Sequence, residues 1–325
     1  MKRMLYIHMD FYEYDSRIIE TFTRLGFELT AFHDRNYRTI ISRAIERVSD
    51  NYCLSKIKNY EYQMCFLKNT LSQIDFFDVV FIIVGRYLDY RFLRELKRKY
   101  KSAQFILYLW DDLERVQNFE FNKMYFNTVF SIEKADCKKY GFNFQPLFYT
   151  YDYVYADEKK DIMLYGAGID HSQRIEMIET MLKTSDKYQN SMVFYIYSSY
   201  YMQIKRILKN WKWAMSLSYI HYNRLSLKMN AEYTKKALCL IDIQYNSQNG
   251  LSLRTIESLA AKTKLLTTNV SVREYDFYTP ENIMIIPRDK INKAPIDFIL
   301  APHKEMPQTI VDNYSLENWC KKLLL

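Results

Sequence analysis

The sequence predicts an α/β protein with two Rossmann-like domains that face each other across a cleft, and three observations predict it. Strand patterns alternate with helix patterns along most of the chain, which is typical of strand–helix–strand units and parallel sheets. Asp78–Val84 is a continuous apolar run, as expected of a parallel strand covered on both faces. The alternation begins again near residue 161, and 325 residues suit two domains.

The domain boundaries follow from this restart. We expect an N-terminal domain over residues 1–150, a C-terminal domain over 151–305 and a terminal helical segment over 306–325, which could pack back on the first domain. Pro146 and the aromatic stretch to Tyr155 form the connector between the two domains.

The first domain begins with a strand–helix–strand unit whose helix ends at Gly26, and the same alternation then continues. Residues 35–74 are predicted to be helical. The predicted strands are Arg3–Met9, Phe27–Phe32, Asp78–Val84, Gln104–Leu109 and Thr128–Ser131, and the further helices are Ser16–Leu25, residues 90–101 and Lys134–Tyr140.

The second domain repeats the pattern. Its predicted strands are Asp161–Tyr165, Val193–Tyr197, Ala237–Ile243, Leu265–Thr268 and Asn282–Ile286. Its predicted helices are Ser172–Leu182, Ile204–Trp211, Asn230–Lys236, one that begins near Gly250, and the tail Ser315–Leu325.

Charge and cysteine content limit the classes of function. The net charge is +8, and the one dense basic run is Arg91–Lys101. This run is either a solvated helix face or a contact for anionic headgroups or phosphorylated acceptors. No helix-turn-helix, zinc-finger or RNP signature indicates nucleic acid. Five separated cysteines without a Cys-x-x-Cys motif favour reduced thiols in the cytoplasm over a zinc site or disulfides.

Membrane and export signals are weak. The apolar start Met4–Ile7 is too short for a signal peptide. No apolar run approaches the roughly 20 residues of a membrane span. We therefore expect a protein of the cytoplasm or of the inner face of the cytoplasmic membrane, with any membrane contact peripheral.

The most informative motif is Gln248–Glu257, which predicts a turn that opens a helix after a buried strand. The first amides of a helix lack internal partners and attract anions, so the turn suits a phosphate. An acid two turns further in would accept hydrogen bonds from ribose hydroxyls. Otherwise Arg254 and Glu257 are an i,i+3 surface pair on a packing helix. The residues expected to bind the donor are Gln248, Gly250, Leu251, Ser252, Arg254 and Glu257.

A second phosphate motif is Gly166–Arg174, which follows the first strand of the second domain. We expect exposed amides at Gly166 and Gly168, a helix cap at Ser172, and an Arg174 guanidinium that reaches a diphosphate. The alternative is a plain capped helix start.

The segment Asp242–Ile286 resembles the nucleotide-sugar half of bacterial surface-polysaccharide glycosyltransferases of the GT-B fold, particularly those identified as lipopolysaccharide core biosynthesis proteins. Their Gly-Leu-Thr-x-Arg-x-x-Glu helix start corresponds to Gly250–Glu257, with Ser252 in place of Thr. Their Lys-Leu-Ile-Thr-x-Asn strand corresponds to Lys264–Asn269. Their Tyr-Asp-Phe-Tyr-x-Pro-x-Asn-Ile run corresponds to Tyr275–Ile283.

The resemblance continues in the first half through Tyr108–Asp111 and Phe130–Gly141. Two positions depart from the family pattern: Asp112 stands where Ser is expected, and Ile132-Glu133 where Phe-Asp is expected. These departures concern the acceptor side. Residues 35–75 and 185–235 match poorly.

The resemblance implies a hexosyl- or deoxyhexosyltransferase that moves a sugar from a nucleotide diphosphate to a lipopolysaccharide, capsule or other surface glycan. Inverting transfer needs a base beside the acceptor hydroxyl. The candidates at strand ends are His8, Asp10, Asp111 and Asp112, each of which could instead be a cap or turn residue. Helix amides and arginine can neutralise the leaving diphosphate, so we predict neither metal nor cofactor. The alternative function is a non-catalytic basic, aromatic module that binds nucleic acid or anionic membrane.

Overall fold

The computed structural model describes the chain except for residues 10, 12, 36–51, 112, 114–115, 117–118, 171–173, 245–249 and 292–293, and except for the side chains of 52–56, 186 and 289. The chain forms two compact units. Unit 1 comprises Met1–Pro146 together with Cys320–Leu325, and unit 2 comprises Leu147–Trp319.

Unit 1 contains a six-stranded parallel sheet with the order β2-β1-β3-β4-β5-β6. Apolar runs form its central strands, and every residue of β3 is buried. The strands are β1 Lys2–His8, β2 Phe27–His33, β3 Val79–Ile83, β4 Gln104–Leu109, β5 Thr128–Ser131 and β6 Asn143–Phe144. The helices are α1 Tyr14–Arg24, α2 Tyr52–Asn69, α3 Tyr90–Lys99, α4 Phe119–Asn122 and α5 Lys134–Tyr140.

The basic run of the sequence forms α3. Asp89 caps this helix by accepting a hydrogen bond from the Arg91 amide at 2.8 Å. Phe92, Leu93 and Leu96 are buried, and the last turn carries three basic residues. The spacing of apolar residues therefore gives an amphipathic helix with a charged outer face.

Unit 2 contains a second six-stranded parallel sheet, in the order β12-β11-β10-β7-β8-β9. The strands are β7 Ile162–Ile169, β8 Met192–Tyr197, β9 Ile220–His221, β10 Ala237–Asp242, β11 Lys264–Thr267 and β12 Ile283–Ile285. The helices are α6 Arg174–Thr184, α7 Tyr200–Lys209, α8 Trp211–Ser216, α9 Leu227–Lys236, α10 Leu253–Ala260, α11 Ile296–Leu300, α12 Gln308–Asp312 and α13 Leu316–Leu323, the last of which crosses from unit 2 into unit 1.

Strand β7 is longer than the sequence predicts. It continues through both glycines of the Gly166–Arg174 motif, where Gly166 pairs with Phe194 and Gly168 with Ile196. A Cβ on Gly166 would lie 2.8 Å from Ile241 and 2.9 Å from Phe194. Gly166 is therefore a packing position inside the sheet, and the strand, which we expected to end at Tyr165, ends at Ile169.

Each sheet has one point where the strand order reverses. In unit 1 the chain passes from β1 to β2 on one side and reaches β3 on the other, and in unit 2 the corresponding neighbours are β7 and β10. Ligands of open parallel sheets bind outside the carboxyl ends of the strands at this point. Among the described residues, no helix is long and apolar enough to cross a bilayer.

Candidate functional site

Arg174 lies at the reversal point of unit 2 and joins the ends of its two central strands. Nε and Nη2 donate to the Ile243 carbonyl at 3.0 and 2.5 Å, and Nη1 donates to the Ile169 carbonyl at 2.9 Å. The residue is buried. Arg174 thus donates to main-chain oxygens, whereas the sequence analysis expected it to reach a diphosphate. Its contact with phosphate stays a prediction.

Gly168 gives two arginines room beside the backbone. A Cβ at this position would collide with Arg174 Nη1 and would lie 3.2 Å from Arg254 Nη2. Only glycine leaves this space, so both guanidinium groups approach the end of β7. The structure thereby brings together residues that the sequence assigned to two separate phosphate motifs.

Asp242 holds the start of α10. Its carboxylate accepts a hydrogen bond from Ser252 Oγ at 2.6 Å and pairs with Arg254 Nη1 at 3.0 Å. Ser252 also caps α10 by accepting from the Thr255 amide. The Asp242 side chain is fully buried, whereas Arg254 keeps about a quarter of its side-chain surface (26%) exposed. The acid therefore lies beneath the arginine, and the exposed part of this pair is positive.

Two further charged side chains influence this pair. Burial would lower the pKa of Arg254, but attraction to Asp242 and Glu257 outweighs it and raises the pKa. Glu257 is itself buried, on the protein side of α10. For Arg288, which follows β12, burial lowers the pKa and Asp242 partly offsets the effect. We name Arg174, Arg254 and Arg288 the arginine cluster; it is suited to bind a polyanion such as a diphosphate.

The Gly250 carbonyl, which lies shortly before α10, accepts two side-chain hydrogen bonds. Gln244 Nε2 donates to this oxygen, and Asn269 Nδ2 donates to it at 3.4 Å. Leu251 is buried and anchors the next position. The predicted donor residues Ser172 and Gln248 lie outside the described residues.

The sequence reasoning missed three residues of this site: Asp242, Gln244 and Arg288. Asp242 carries a usable signal, because an acid at the end of an apolar strand is expensive to bury without partners. Arg288 lies 34 positions beyond Arg254 in the sequence, and only the parallel pairing of β10, β11 and β12 brings their strand ends to one edge.

In unit 1, the candidate base His8 ends β1 at the other reversal point. Its ring stacks on Tyr6 and lies 4.3 Å from the His33 ring, centroid to centroid. Nδ1 is 3.2 Å from Asp15 Oδ1, while Asp15 also accepts hydrogen bonds from Tyr6 Oη and the Phe11 amide. A carboxylate that orients one imidazole nitrogen is the usual arrangement for a histidine base.

The other candidate bases are Asp111, Asp10 and Asp112. Asp111 pairs with Arg86 Nη2 at 3.2 Å, with about a quarter of its side chain exposed (27%). Asp10 and Asp112 lie outside the described residues. Their roles stay predictions.

Asp34, directly after β2, is a buried carboxyl that the sequence did not single out. Burial raises the pKa of Asp34 to about 7, and the opposing effects of Arg35, the Tyr87 amide, His8 and Arg86 are smaller. Its main chain is fixed from both sides: its amide donates to the His8 carbonyl at 2.9 Å, and its carbonyl accepts from Gln63 Nε2 at 2.8 Å.

Within the described part of the chain, His, Cys, Asp and Glu side chains nowhere form a group of three that could hold a metal ion. The expectation of a metal-free reaction stays a prediction.

Comparison with known proteins supports the fold over the full length. No family model matches the chain, and no curated protein sequence matches it. The N-terminal domain of trehalose-6-phosphate phosphatase from Candida albicans is similar, with a TM-score of 0.63 and 11% identity, over 100% of this chain and 96% of that one.

Two further solved structures are similar. HepE from Anabaena, in complex with UDP and glucose, has a TM-score of 0.58 and 8% identity, covering 99% and 95% of the two chains. The lipopolysaccharide outer core galactosyltransferase WaaB, in its apo form, has a TM-score of 0.52 and 12% identity, covering 99% of each chain. These likenesses and the two parallel six-stranded sheets with flanking helices confirm the predicted α/β fold class.

Proposed function

We propose that this chain, which has the GT-B fold, transfers a sugar from a nucleotide-diphosphate donor to a surface glycan. The observation that carries the proposal is the arginine cluster at the strand-order reversal of unit 2. Open parallel sheets bind ligands at such points, and guanidinium groups match phosphate oxygens. HepE, a structural neighbour, was solved with UDP and glucose, which supports a nucleotide-sugar donor.

In this proposal, Arg254 and Arg288 bind the diphosphate, because both keep exposed surface while the carboxylate that attracts them, Asp242, is buried. The amides at the start of α10 add partial positive charge. As the sugar leaves, negative charge develops on the diphosphate, and these fixed positive groups stabilise it without a metal. Arg174 and Gly168 hold the cluster in place.

Unit 1 supplies the acceptor side. We assign His8 as the base that takes the proton of the acceptor hydroxyl, because Asp15 fixes the Nδ1 side of the ring and leaves Nε2 for the proton. Asp15 then stabilises the imidazolium that forms.

The finer assignment is a hexosyl or deoxyhexosyl transfer onto lipopolysaccharide, capsule or a related glycan at the inner face of the cytoplasmic membrane. The likeness to WaaB, a lipopolysaccharide outer core galactosyltransferase, supports this acceptor class.

A thermal-shift scan with UDP, GDP, CDP and dTDP tests donor binding. A ligand that binds only the folded state stabilises it, by about 2.7 kcal/mol at a hundred times Kd. We expect one nucleotide to stabilise the wild type, and Arg254→Ala and Arg288→Ala to lose most of the shift. Arg94→Ala, an exposed arginine on the basic helix of unit 1, is the matched control and should keep it.

The scan also separates the alternative. A non-catalytic polyanion-binding module would show no nucleotide preference and would bind nucleic acid with strong salt dependence. Equal stabilisation of wild type and both arginine variants would refute the proposed donor site.

A further inference from the structure

Helix α7 of unit 2 has the reverse of the usual amphipathic arrangement, and the neighbouring helix α8 also exposes large apolar side chains, although its Ala214 is buried and its Trp213 packs on the core. A surface helix normally turns its apolar side to the core. Here all residues of both helices are described, and six large side chains are more than half exposed: Tyr200, Tyr201, Ile204, Leu208, Trp211 and Met215. We call these six the α7–α8 surface.

The inner side of α7 is polar and firmly held. Arg206, which is buried, forms an ion pair with Asp170 and donates to Ser198 Oγ at 3.1 Å. Ser198 Oγ in turn donates to Asp170 at 2.8 Å. Because Asp170 follows β7 and Ser198 follows β8, this buried cluster fixes α7 on the sheet edge with its apolar side outward.

Helix α8 is held in the same way. Gln203 Nε2 donates to the Ala214 carbonyl at 3.2 Å, and Trp213 Nε1 donates to Glu179 at 2.9 Å. Asn210 caps α8 by accepting from the Trp213 amide. The exposed apolar surface is therefore an ordered feature of the fold, since polar contacts fix both helices from the inner side.

Positive charge surrounds the apolar side chains. Lys205, Lys209 and Lys212 are all exposed on these two helices, and Lys205 Nζ lies 4.5 Å from the centre of the Tyr201 ring. Residues 187–231 contain no Asp or Glu, and their basic residues are Lys187, Lys205, Arg206, Lys209, Lys212, Arg224 and Lys228.

We propose that the α7–α8 surface docks on an anionic lipid bilayer. Apolar side chains that enter the headgroup boundary, aromatic rings at that level and lysines around them are the chemistry that binds such a surface. A second copy of this chain fits less well, because a two-fold contact would bring the same positive segment against itself. Neither helix is long enough to span a bilayer, so the contact is peripheral.

Docking at the α7–α8 surface would serve the proposed function because of where α7 begins relative to the arginine cluster. Helix α7 follows the carboxyl end of β8, which is the neighbour of β7 in the sheet. Helix α7 therefore begins at the same sheet edge as the arginine cluster. This consequence rests on the proposed function, whereas lipid binding itself does not.

The test is sedimentation with vesicles of phosphatidylcholine alone and of phosphatidylcholine with phosphatidylglycerol, without nucleotide. We expect salt-sensitive binding to the anionic vesicles only. The charge variant Lys205→Glu/Lys209→Glu/Lys212→Glu should bind at least a hundredfold more weakly, because the loss of three basic residues that each contribute roughly a fivefold factor already gives this reduction and the new acids add repulsion. The apolar variant Leu208→Ser/Trp211→Ser/Met215→Ser should also lose binding.

The charge-matched control is Arg94→Glu/Arg98→Glu/Lys101→Glu, on the basic helix of unit 1, which should bind as the wild type does. Equal losses in both charge variants, or equal binding to the two vesicle types, would overturn the proposal. A wild-type dimer that the apolar variant converts to monomer would overturn it in favour of self-association. The nucleotide-induced thermal shift, measured on the same variants, reports separately on the donor site and on folding.

Discussion

The guanidinium of Arg174 donates two hydrogen bonds to the main-chain oxygen of Ile243, from Nε at 3.0 Å and from Nη2 at 2.5 Å. The third bond, from Nη1 to Ile169, reaches the end of the adjacent strand. One buried side chain therefore joins β7 to β10 at the point where the sheet order reverses. It fixes the strand end that carries Asp242 and, through Asp242, the position of Arg254.

Replacing Arg174 should therefore lower the free energy of unfolding more than it lowers the affinity for nucleotide. Arg174→Ala leaves the buried Ile243 carbonyl and the part-buried Ile169 carbonyl without these donors, and we expect a loss of about 3 kcal/mol in the free energy of unfolding. Arg174→Lys keeps the charge but cannot form the forked contact, so it should recover only part of the loss. Urea unfolding measures both. Unchanged stability of Arg174→Ala together with lost nucleotide binding would show instead that this arginine contacts the ligand directly.

Sequence reasoning predicted the strands well wherever an apolar run was uninterrupted, as in β3 and β4. It ended β7 too early because Gly166 and Gly168 signal a turn, whereas in the sheet they make room for Phe194 and for Arg174. The sequence analysis predicted that α7 starts at Ile204, later than it does, and it did not predict α8. The reason is that apolar side chains on the outer side of a helix contradict the usual amphipathic pattern.

At the candidate site, the sequence indicated Ser252 and Arg254 through their positions at a helix start. The sequence did not reveal Asp242 as the partner of Ser252 and Arg254 in unit 2, or Asp15 as the partner of His8 in unit 1. Strand register and the paths of the loops decide which side chains meet. Asp15 looks like an ordinary acid in the first turn of α1, and only the fold brings it to His8.

The two glycines of β7 should respond differently to substitution by alanine. Gly168→Ala places a methyl group against Arg174, which is held by three hydrogen bonds and cannot move away cheaply, and close to Arg254. We expect nucleotide affinity to fall about tenfold, the equivalent of about 1.4 kcal/mol. Gly166→Ala overpacks the core against Ile241 and Phe194, which should lower stability by about 1–3 kcal/mol.

Isothermal titration calorimetry on the folded fraction of each variant, with unfolding curves beside it, measures the two effects. Gly166→Ala is the control for general strain in β7 and should retain affinity. Equal losses of affinity in both alanine variants would mean that the effect comes from the strand and not from the arginine cluster.

His8 and Asp15 should act as a unit in glycosyl transfer. His8→Gln removes the proposed base, and general-base catalysis typically contributes about 10²–10⁴-fold to the rate. Asp15→Asn keeps the shape but no longer favours the tautomer with the proton on Nδ1, so kcat should fall while donor affinity stays unchanged. The kcat and KM of both single variants and of the double variant decide the matter. Additive losses in the double variant would contradict a joint role.

Asp34 should make the stability of unit 1 depend on pH between about 4 and 7. The pKa of Asp34 is raised by burial to about 7 from an ordinary 3.8, so the folded state holds this proton more tightly than the unfolded state. Its contribution is fully present below the unfolded pKa and is lost as pH rises through the folded one. A shift of this size corresponds to about 4 kcal/mol.

Asp34→Asn cannot ionise, so the wild type should lose stability relative to this variant as pH rises from 4 to 8. Denaturant unfolding across that range, followed by a signal from unit 1, measures the difference; parallel curves for the two proteins would show that the Asp34 carboxyl is ionised at little cost in the fold.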